Sequence, residues 1–578
     1  MPATNHHCQL GLRLDYVHHN PGEERAESQY LDPAYLDALG YTGQVSDRHV
    51  QAAVSLESYL PDLWKDDPET RDWITSYADR IRTEFQRTKK AGLACFAWTD
   101  FVVLPKSLLE RFADELTLDV EIDDPFDVKG KVRPNIKSTF TQEVLRAQIR
   151  EIFATFPELD GLVVRVGETY LHNLPHHTGG DPIVHGPESH VDLLTLMREE
   201  ICEKLGKTLV YRTWMSGIDE LAEPYLEATN QVKPHPNLYF VIKHCIGDFH
   251  RTHRFSPPLG TGKHQQLIEI QCQREYEGKG AFPNFIAAGV IDGFEEYDNL
   301  MPAGEIRSVR ELVGLPQTAG ILTWSRGGGW QGPYIKDELW CDINARVLTM
   351  WAQNPELPTD DIVDRVLRDL KFSDRDRPKM KEILDLSAKA IVRGVTGTRG
   401  DIDTLWTRDE YFGGFEAGSP FMTRAVESVL AGNQVQATLA EMAEAVAIWK
   451  QIETLSMTLE HADAQRLAFI RTSCSYGRIY QEIVYAGWTV ILLGEQGVRS
   501  GEFDVSGMRQ AIESYQRGWE NWNKLSQRPE CSTLYQDTYC HYVADKGMIP
   551  ADGMGTSVSR YAKLIPQRVD RPSLGHRS

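Results

Sequence analysis

Asn237-Leu-Tyr-Phe-Val-Ile-Lys243-His-Cys-Ile-Gly-Asp248-Phe249, a loop holding Ser256-Pro257-Pro258-Leu259-Gly260, and then Leu267-Ile-Glu-Ile-Gln-Cys-Gln-Arg-Glu275-Tyr276 form the stretch whose reading decides the fold. Each apolar run has the length and composition of a buried strand and is followed by a carboxylate. The Pro and Gly residues between them restrict the loop's shape. In a parallel α/β barrel the chemistry gathers where strands end. The question for the rest of the chain is whether it supplies the alternating strands and helices that such a barrel needs.

Working outward, it does. Strands are expected at 8–17, 93–98, 159–168, 208–214, 238–243, 267–275 and 320–324. Between them, helical periodicity fills 55–90, 106–114, 139–156, 189–205, 219–228 and 305–313, while 18–48 reads as a loop. This alternation predicts a parallel sheet with helices around it, and the number of strands favours a TIM (β/α)8 barrel over residues 1–335. Beyond that point the pattern is helical, at 337–352, 359–371, 378–393, 420–431, 436–460, 463–495 and 505–525, with no strand expected. Residues 336–578 therefore read as an α-helical C-terminal domain, its last 25 residues loosely ordered.

The bulk properties narrow the partners. A net charge of −21 without any Lys/Arg run excludes a nucleic-acid or anionic-membrane partner. Nine cysteines without a CxxC pair predict free thiols and a reducing compartment. The N-terminal residues lack the features of a signal peptide, and no apolar run is long enough for a membrane span, so the expected location is cytoplasmic. The 13 Trp and 22 Tyr suit sugar-stacking platforms as well as a large core.

Candidate chemistry sits at the strand ends. Period-two alternation puts Leu267, Glu269, Gln271, Gln273 and Glu275 on one face. Glu168, Asp248 and Glu275 then end three different strands on the same side of the barrel, the equipment of glycoside hydrolysis, in which one carboxyl donates a proton and another activates water or attacks. Arg212 and Lys243 end the two strands between Glu168 and Asp248. They serve either as structural ion-pair partners or as a grip on an anionic substrate. Trp98, Tyr170 and Trp214 are sugar platforms or core. His172 belongs to a loop that contacts substrate or is merely polar, and Arg326 to a Gly-rich segment that is a substrate loop or a turn. His172, His176, His177 and Asp181 lack the spacing of a metal site, and Gly260-Thr-Gly-Lys263 lacks the first Gly and the Ser/Thr of a phosphate loop. No cofactor is expected.

The run Val241-Ile-Lys243-His-Cys-Ile-Gly-Asp248, with Ser256-Pro257, Leu259-Gly260, Glu269-Ile-Gln271 and Gln273-Arg-Glu275-Tyr276-Glu-Gly278, resembles the catalytic segment of glycoside hydrolase family 67, the α-glucuronidases. Asp342-Ile-Asn344-Ala-Arg346, Trp351-Ala-Gln-Asn354-Pro355 and Asp360-Asp361-Ile362 are similar to the segment where that family leaves its barrel. The likeness runs best over 159–375. It implies an exo-acting, inverting hydrolase, free of metal, that removes a terminal α-linked glucuronic or 4-O-methylglucuronic acid from oligosaccharides. By position it makes Glu168 the general acid and Asp248 and Glu275 the base side, with Arg212 and Lys243 holding the uronic carboxylate. Two departures stand out: the family usually has a β-rich domain before the barrel, whereas the first strand here is expected from residue 8, and the loop after Glu168 differs. A hydrolase of the same fold acting on another terminal sugar, or a carbohydrate-binding relative without catalysis, are the alternatives. The oligosaccharide is the expected partner, and a homodimer through the C-terminal helices the expected assembly.

Overall fold

The computed structural model describes residues 10–565 apart from 21–24, 120–131, 172, 184–185, 330–331, 398–405, 408–410, 416–419, 538, 544–546 and 552. Eight parallel strands close into a barrel. They are β1 (Leu12–Val17), β2 (Gly43–Ser46), β3 (Ala94–Asp100), β4 (Gly161–Arg165), β5 (Thr208–Arg212), β6 (Leu238–Lys243), β7 (Gln265–Gln271) and β8 (Thr318–Arg326). Each strand pairs with its sequence neighbour, and β1 closes on β8 through Leu12↔Gly320 to Tyr16↔Trp324.

The closure follows from strands that are apolar on both faces. Leu14, Val45, Phe96, Val163, Val210, Val241, Leu267 and Leu322, one from each strand, fill the interior. Each buried side chain of this kind contributes about 1.5–3 kcal/mol. Two residues further along, β1, β3 and β8 turn Tyr16, Trp98 and Trp324 inward, and these rings cap the apolar plug. Polar residues take the same inward positions at the ends of β4, β5, β6 and β7, and there the site begins.

The outer layer holds α1 (Pro33–Leu39), α2 (Pro68–Lys90), α3 (Thr139–Thr155), α4 (Ser189–Met197), α5 (Ala222–Thr229), α6 (Ala287–Asp292) and α7 (Leu339–Gln353). In α2, Ile74, Tyr77, Ile81 and Phe85 form the buried stripe, Asp67 accepts from the Thr70 N–H, and Pro68 occupies the first turn. That cap is why the helix begins at Pro68 instead of near 55. α7 packs back onto the barrel. The Asp342 carboxylate accepts from Tyr30 Oη (2.7 Å) and Tyr35 Oη (2.6 Å), and Asn344 Oδ1 accepts from the Ile286 and Ala287 N–H groups at the start of α6. The Asp342-Ile-Asn344 motif is therefore occupied with tying the barrel's helices together.

After α7 come α8 (Thr359–Asp369), α9 (Arg377–Ile391), α10 (Pro420–Ala431), α11 (Val435–Met457), α12 (Ala464–Ser500) and α13 (Val505–Leu525). None of the described helices is long and apolar enough to cross a membrane. Cys95, Cys202, Cys245, Cys272, Cys341, Cys474 and Cys531 are free and buried.

Four expectations need correction. The 18–48 loop contains α1 and the eighth strand, β2, whose four residues are too few to show a periodicity. β7 stops at Gln271, not 275, because Arg274 takes a positive φ of 54° and pairs with Glu277, turning the chain away from the sheet. The helix expected at 305–313 is a single 3-10 turn, Arg310–Leu312, while α6 lies in the Gly-containing stretch before it. The C-terminal region carries an antiparallel hairpin, β9 (Tyr539–Val543) with β10 (Gly547–Ala551), and its last 25 residues include a helix, α14 (Met554–Ala562).

Candidate active site at the barrel mouth

The floor of the mouth is aromatic. Tyr16 lies flat on Trp98, with ring centroids 4.3 Å apart, and Trp324 meets both edge-on. The Arg212 guanidinium sits 5.0 Å from the Trp98 ring and 5.2 Å from Trp324. Around this floor stand three buried or partly buried ion pairs, each contributed by strand ends.

The first joins β3 to β4. Asp100 and Arg165 are register partners, and the guanidinium grips the carboxylate through Nε (2.7 Å) and Nη2 (2.9 Å). Asp100 also accepts the Tyr170 N–H (3.1 Å), while Arg165 Nη1 reaches Glu168 at 3.4 Å and its guanidinium lies 4.8 Å from the Tyr170 ring. Burial opposes ionisation of Asp100, but the adjacent Arg165 charge outweighs it and holds the carboxyl below its ordinary range. The second pair spans β5 and β7. Arg212, 1% exposed, donates to Glu269 through Nε (2.8 Å) and Nη2 (2.7 Å). The third closes β6: Lys243 Nζ donates to Asp248 at 2.5 Å and stands 3.1 Å from the Trp214 ring centroid. Tyr276 Oη donates to the other Asp248 oxygen at 2.7 Å. Desolvation raises the Asp248 pKa, yet the Lys243 charge and these hydrogen bonds prevail and keep it well below the usual carboxylate range.

Glu275 lies just past β7 and is 6% exposed. Its N–H donates to Gln271 Oε1 at 3.0 Å. The backbone of Gly328, at φ +91°, presses against this corner: a Cβ there would stand 2.2 Å from Gln271 Nε2 and 2.8 Å from Glu275 Oε2. Only glycine lets the β8 loop pass so near the carboxylate.

Glu168, Asp248, Glu275, Arg212, Lys243, Trp98, Tyr170, Trp214 and Arg326 therefore belong to strand ends and loops on the C-terminal side of one barrel. Burial lowers the Arg212 pKa and Glu269, with a smaller pull from Glu168, raises it; burial, aided by Glu168 and Asp248, raises that of Tyr170. Trp98 is floor, 1% exposed, while Trp214 is partly exposed beside Lys243. Arg326 is turned to structure, donating from Nε to Gln273 Oε1 (2.8 Å) and pairing with Glu338. His172 lies outside the described residues. His176 bonds Thr70 Oγ1, and His177 is buried near Trp73. No group of three metal-ligating side chains occurs among the described residues.

Sequence reasoning missed Arg165, Tyr276, Trp324 and the residues after β1 and β2 as parts of the mouth. Arg165 had a signal: it stands two positions after inward-facing Val163, where a cation on a buried strand requires a partner.

No protein-family model matches the chain, and no curated protein does. Solved structures do. A GH138 enzyme targeting pectin rhamnogalacturonan II aligns over 96% of this chain and 67% of its own, with a TM-score of 0.57 at 12% identity. A Thermobaculum terrenum O-GlcNAc hydrolase mutant aligns over 96% of this chain and 94% of its own (TM-score 0.38, 9% identity), and Dispersin B over 60% and 98% (TM-score 0.34, 14% identity). At 12% identity the likeness to the GH138 enzyme shows the fold alone. By their titles the first is a GH138 enzyme and the second an O-GlcNAc hydrolase.

Proposed function

We propose that this chain is a glycoside hydrolase acting at the barrel mouth, and that it removes a terminal α-linked uronic acid from oligosaccharides in an exo-acting, inverting manner. The observation that supports the reading is that Glu168, Asp248 and Glu275 follow three different strands at the same end of one barrel, whose mouth has an aromatic floor. Asp248 is held ionised by Lys243 and Tyr276, the protonation state from which the base side starts. Glu275 stands one residue from Tyr276 and shares that side. Glu168, on the β4 loop, is the proton donor to the leaving oxygen. Water, deprotonated by the base side, attacks the anomeric carbon as the glycosidic bond breaks. An inverting arrangement leaves about 6.5–9.5 Å between acid and base for that water. The uronic acid specificity rests on the cations at the mouth: Arg212 Nη1 has no hydrogen-bond partner among the described residues and can serve a substrate carboxylate.

A second reading has its own observation. Arg165, Arg212 and Lys243 each already face a protein carboxylate, which favours a neutral terminal sugar on the same machinery. A screen of terminal glycosides, aldouronic oligosaccharides included, with NMR of the first anomer released, decides between them. Turnover of acidic substrates with inverted product supports the leading reading, and turnover of neutral ones alone the second. Binding without turnover on every glycoside, or full activity in both Asp248→Asn and Glu275→Gln, defeats the hydrolase assignment.

A further inference from the structure

Beside the carboxylates, between the ends of β1, β2, β3 and β4, the mouth opens into a cavity of about 90 Å³. One water needs about 10–15 Å³ by such a measure, so there is room for several waters or for the hydroxyl groups along one edge of a sugar. Its lining includes His18, His19, His49, Asp47, Trp98 and Arg165. The polar atoms there are incompletely used. His18 Nδ1, both ring nitrogens of His19, His49 Nδ1 and Trp98 Nε1 are buried without a hydrogen-bond partner among the described residues. Each such atom costs free energy until something bonds it.

The framework around them is built. Asp47 accepts from Tyr16 Oη and from the His19 N–H, both at 3.1 Å, and so fixes the loop after β1 to the loop after β2. His18 stacks on Trp324 with centroids 5.1 Å apart, so its ring plane is set by the floor.

The chemistry of the lining selects its ligand. The guanidiniums at the cavity are occupied: Arg165 by Asp100 and Glu168, Arg25 and Arg48 by Glu84. Each guanidinium of the lining thus already faces a carboxylate, and Asp47 adds a further negative charge to the wall, which disfavours an anion. Burial depresses the His18 and His19 pKa values to about 4, against the opposing pull of Asp47, so both imidazoles are neutral near pH 7. A neutral imidazole offers one donor and one acceptor, and the indole one donor. Hydroxyl groups, which both give and take a hydrogen bond, match that set. Carboxylates, which only accept, do not.

We infer that this cavity is a hydroxyl-recognition subsite, in which His18, His49 and the Trp98 indole orient the neutral, hydroxyl-bearing edge of the sugar held at the mouth. The inference rests on the carbohydrate reading of the mouth and assigns it a side: the sugar's hydroxyl edge faces β1 and β2, and any charged group faces away.

Binding of methyl α-glucuronoside, methyl α-galacturonoside and their uncharged counterparts, methyl α-glucoside and methyl α-galactoside, to the whole chain is measured by calorimetry, which does not need turnover. His18→Ala and His49→Ala are each expected to weaken binding roughly tenfold, equally for the acidic and the neutral member of the pair that binds. His18→Asn, whose amide occupies the place of Nδ1, is expected to restore most of the loss. Circular dichroism of each variant separates this from misfolding, and His49→Gln repeats the test should His18 variants fail to fold. Weakening confined to the acidic sugar, no weakening in either histidine variant, or no binding of any of the four glycosides would overturn the subsite. A protein that binds through these histidines but hydrolyses nothing keeps the subsite and removes the hydrolase reading. One that hydrolyses yet ignores both substitutions does the reverse.

Discussion

Replacing Asp248 by Asn tests the site where structure and chemistry are most closely joined. The Lys243 ammonium is 5% exposed, and Asp248 is its anionic partner at 2.5 Å. Without that charge the cation keeps the faces of Trp214 and Phe249, at 3.1 and 4.4 Å, and the weaker pull of Asp219. Breaking a fully buried pair costs about 3–5 kcal/mol. Asp248 retains 27% exposure and the amide still offers an oxygen to Lys243 or Tyr276, so about 2–3 kcal/mol is expected here. Adding Lys243→Met removes the stranded charge and should recover most of that stability. Turnover should fall by about 10²–10⁴ in both the single and the double variant, because the base has gone in each. The pH sign follows from the depressed pKa. Asp248 contributes stability above the unfolded carboxylate value and loses it as pH falls through the lower folded value. Asp248→Asn should therefore flatten the acid limb of the stability curve. Urea unfolding across pH, beside turnover on the screened substrate, measures all three. A double variant that regains activity would refute the base assignment, and a single variant as stable as the parent would refute the pair's structural weight.

Three further outcomes are expected. Asp15 is buried between barrel and helices, bonded by Thr323 Oγ1 (2.6 Å) and Ser325 Oγ (2.8 Å), and burial raises its pKa from 3.8 to about 7. Its contribution is present below the unfolded value and is lost as pH rises through about 7, at about 1.4 kcal/mol per pKa unit. Asp15→Asn should thus gain stability relative to the parent between pH 5 and 9, by up to about 4 kcal/mol, in chemical unfolding. Gly328→Ala should cost about 1–2 kcal/mol of stability from its backbone conformation alone, while turnover falls much further, because the new Cβ displaces Gln271 and Glu275; kcat beside Tm checks this. Thr533→Val removes the hydroxyl that accepts the Tyr334 N–H at 2.6 Å, and should speed hydrogen exchange at 332–336 without changing global unfolding.

How much of this was legible in the sequence depends on the distance between partners. A buried parallel strand reads as an apolar run, so the polar residue that ends it stands out, and Glu168, Arg212, Lys243 and Asp248 were found that way. The pairings between strands were not. Arg165 meets Asp100 and Arg212 meets Glu269 only because barrel closure sets the strands side by side, 65 and 57 positions apart in the chain. β2 escaped notice because a four-residue strand with Val45 as its inward apolar side chain has no periodicity to detect. The overextension of β7 has the opposite cause. Glu269, Gln271, Gln273 and Glu275 keep a perfect alternation, but Arg274 at φ 54° ends the strand beneath it.

The helical region after α7 reads in sequence as a separate body, yet it reaches the loop that shapes the mouth. Tyr334 and Thr533 exchange hydrogen bonds, N–H to Oγ1 at 2.6 Å and N–H to backbone oxygen at 3.1 Å. Lys279, from the β7 loop, donates to the Gly332 carbonyl at 3.0 Å on the same strip of chain. Behind Thr533, Tyr476 Oη holds its carbonyl (2.8 Å), the Trp522 indole holds that of Tyr535 (3.2 Å), and the Phe412 N–H that of Gln536 (2.8 Å). The path runs from the cores of α12 and α13, through residues 533–536, to the loop whose Gly328 rests on Glu275. A loop carrying three successive glycines at positive φ has little conformational preference of its own. β8 fixes its start, and the helical region and Lys279 hold the chain again at Gly332 and Tyr334.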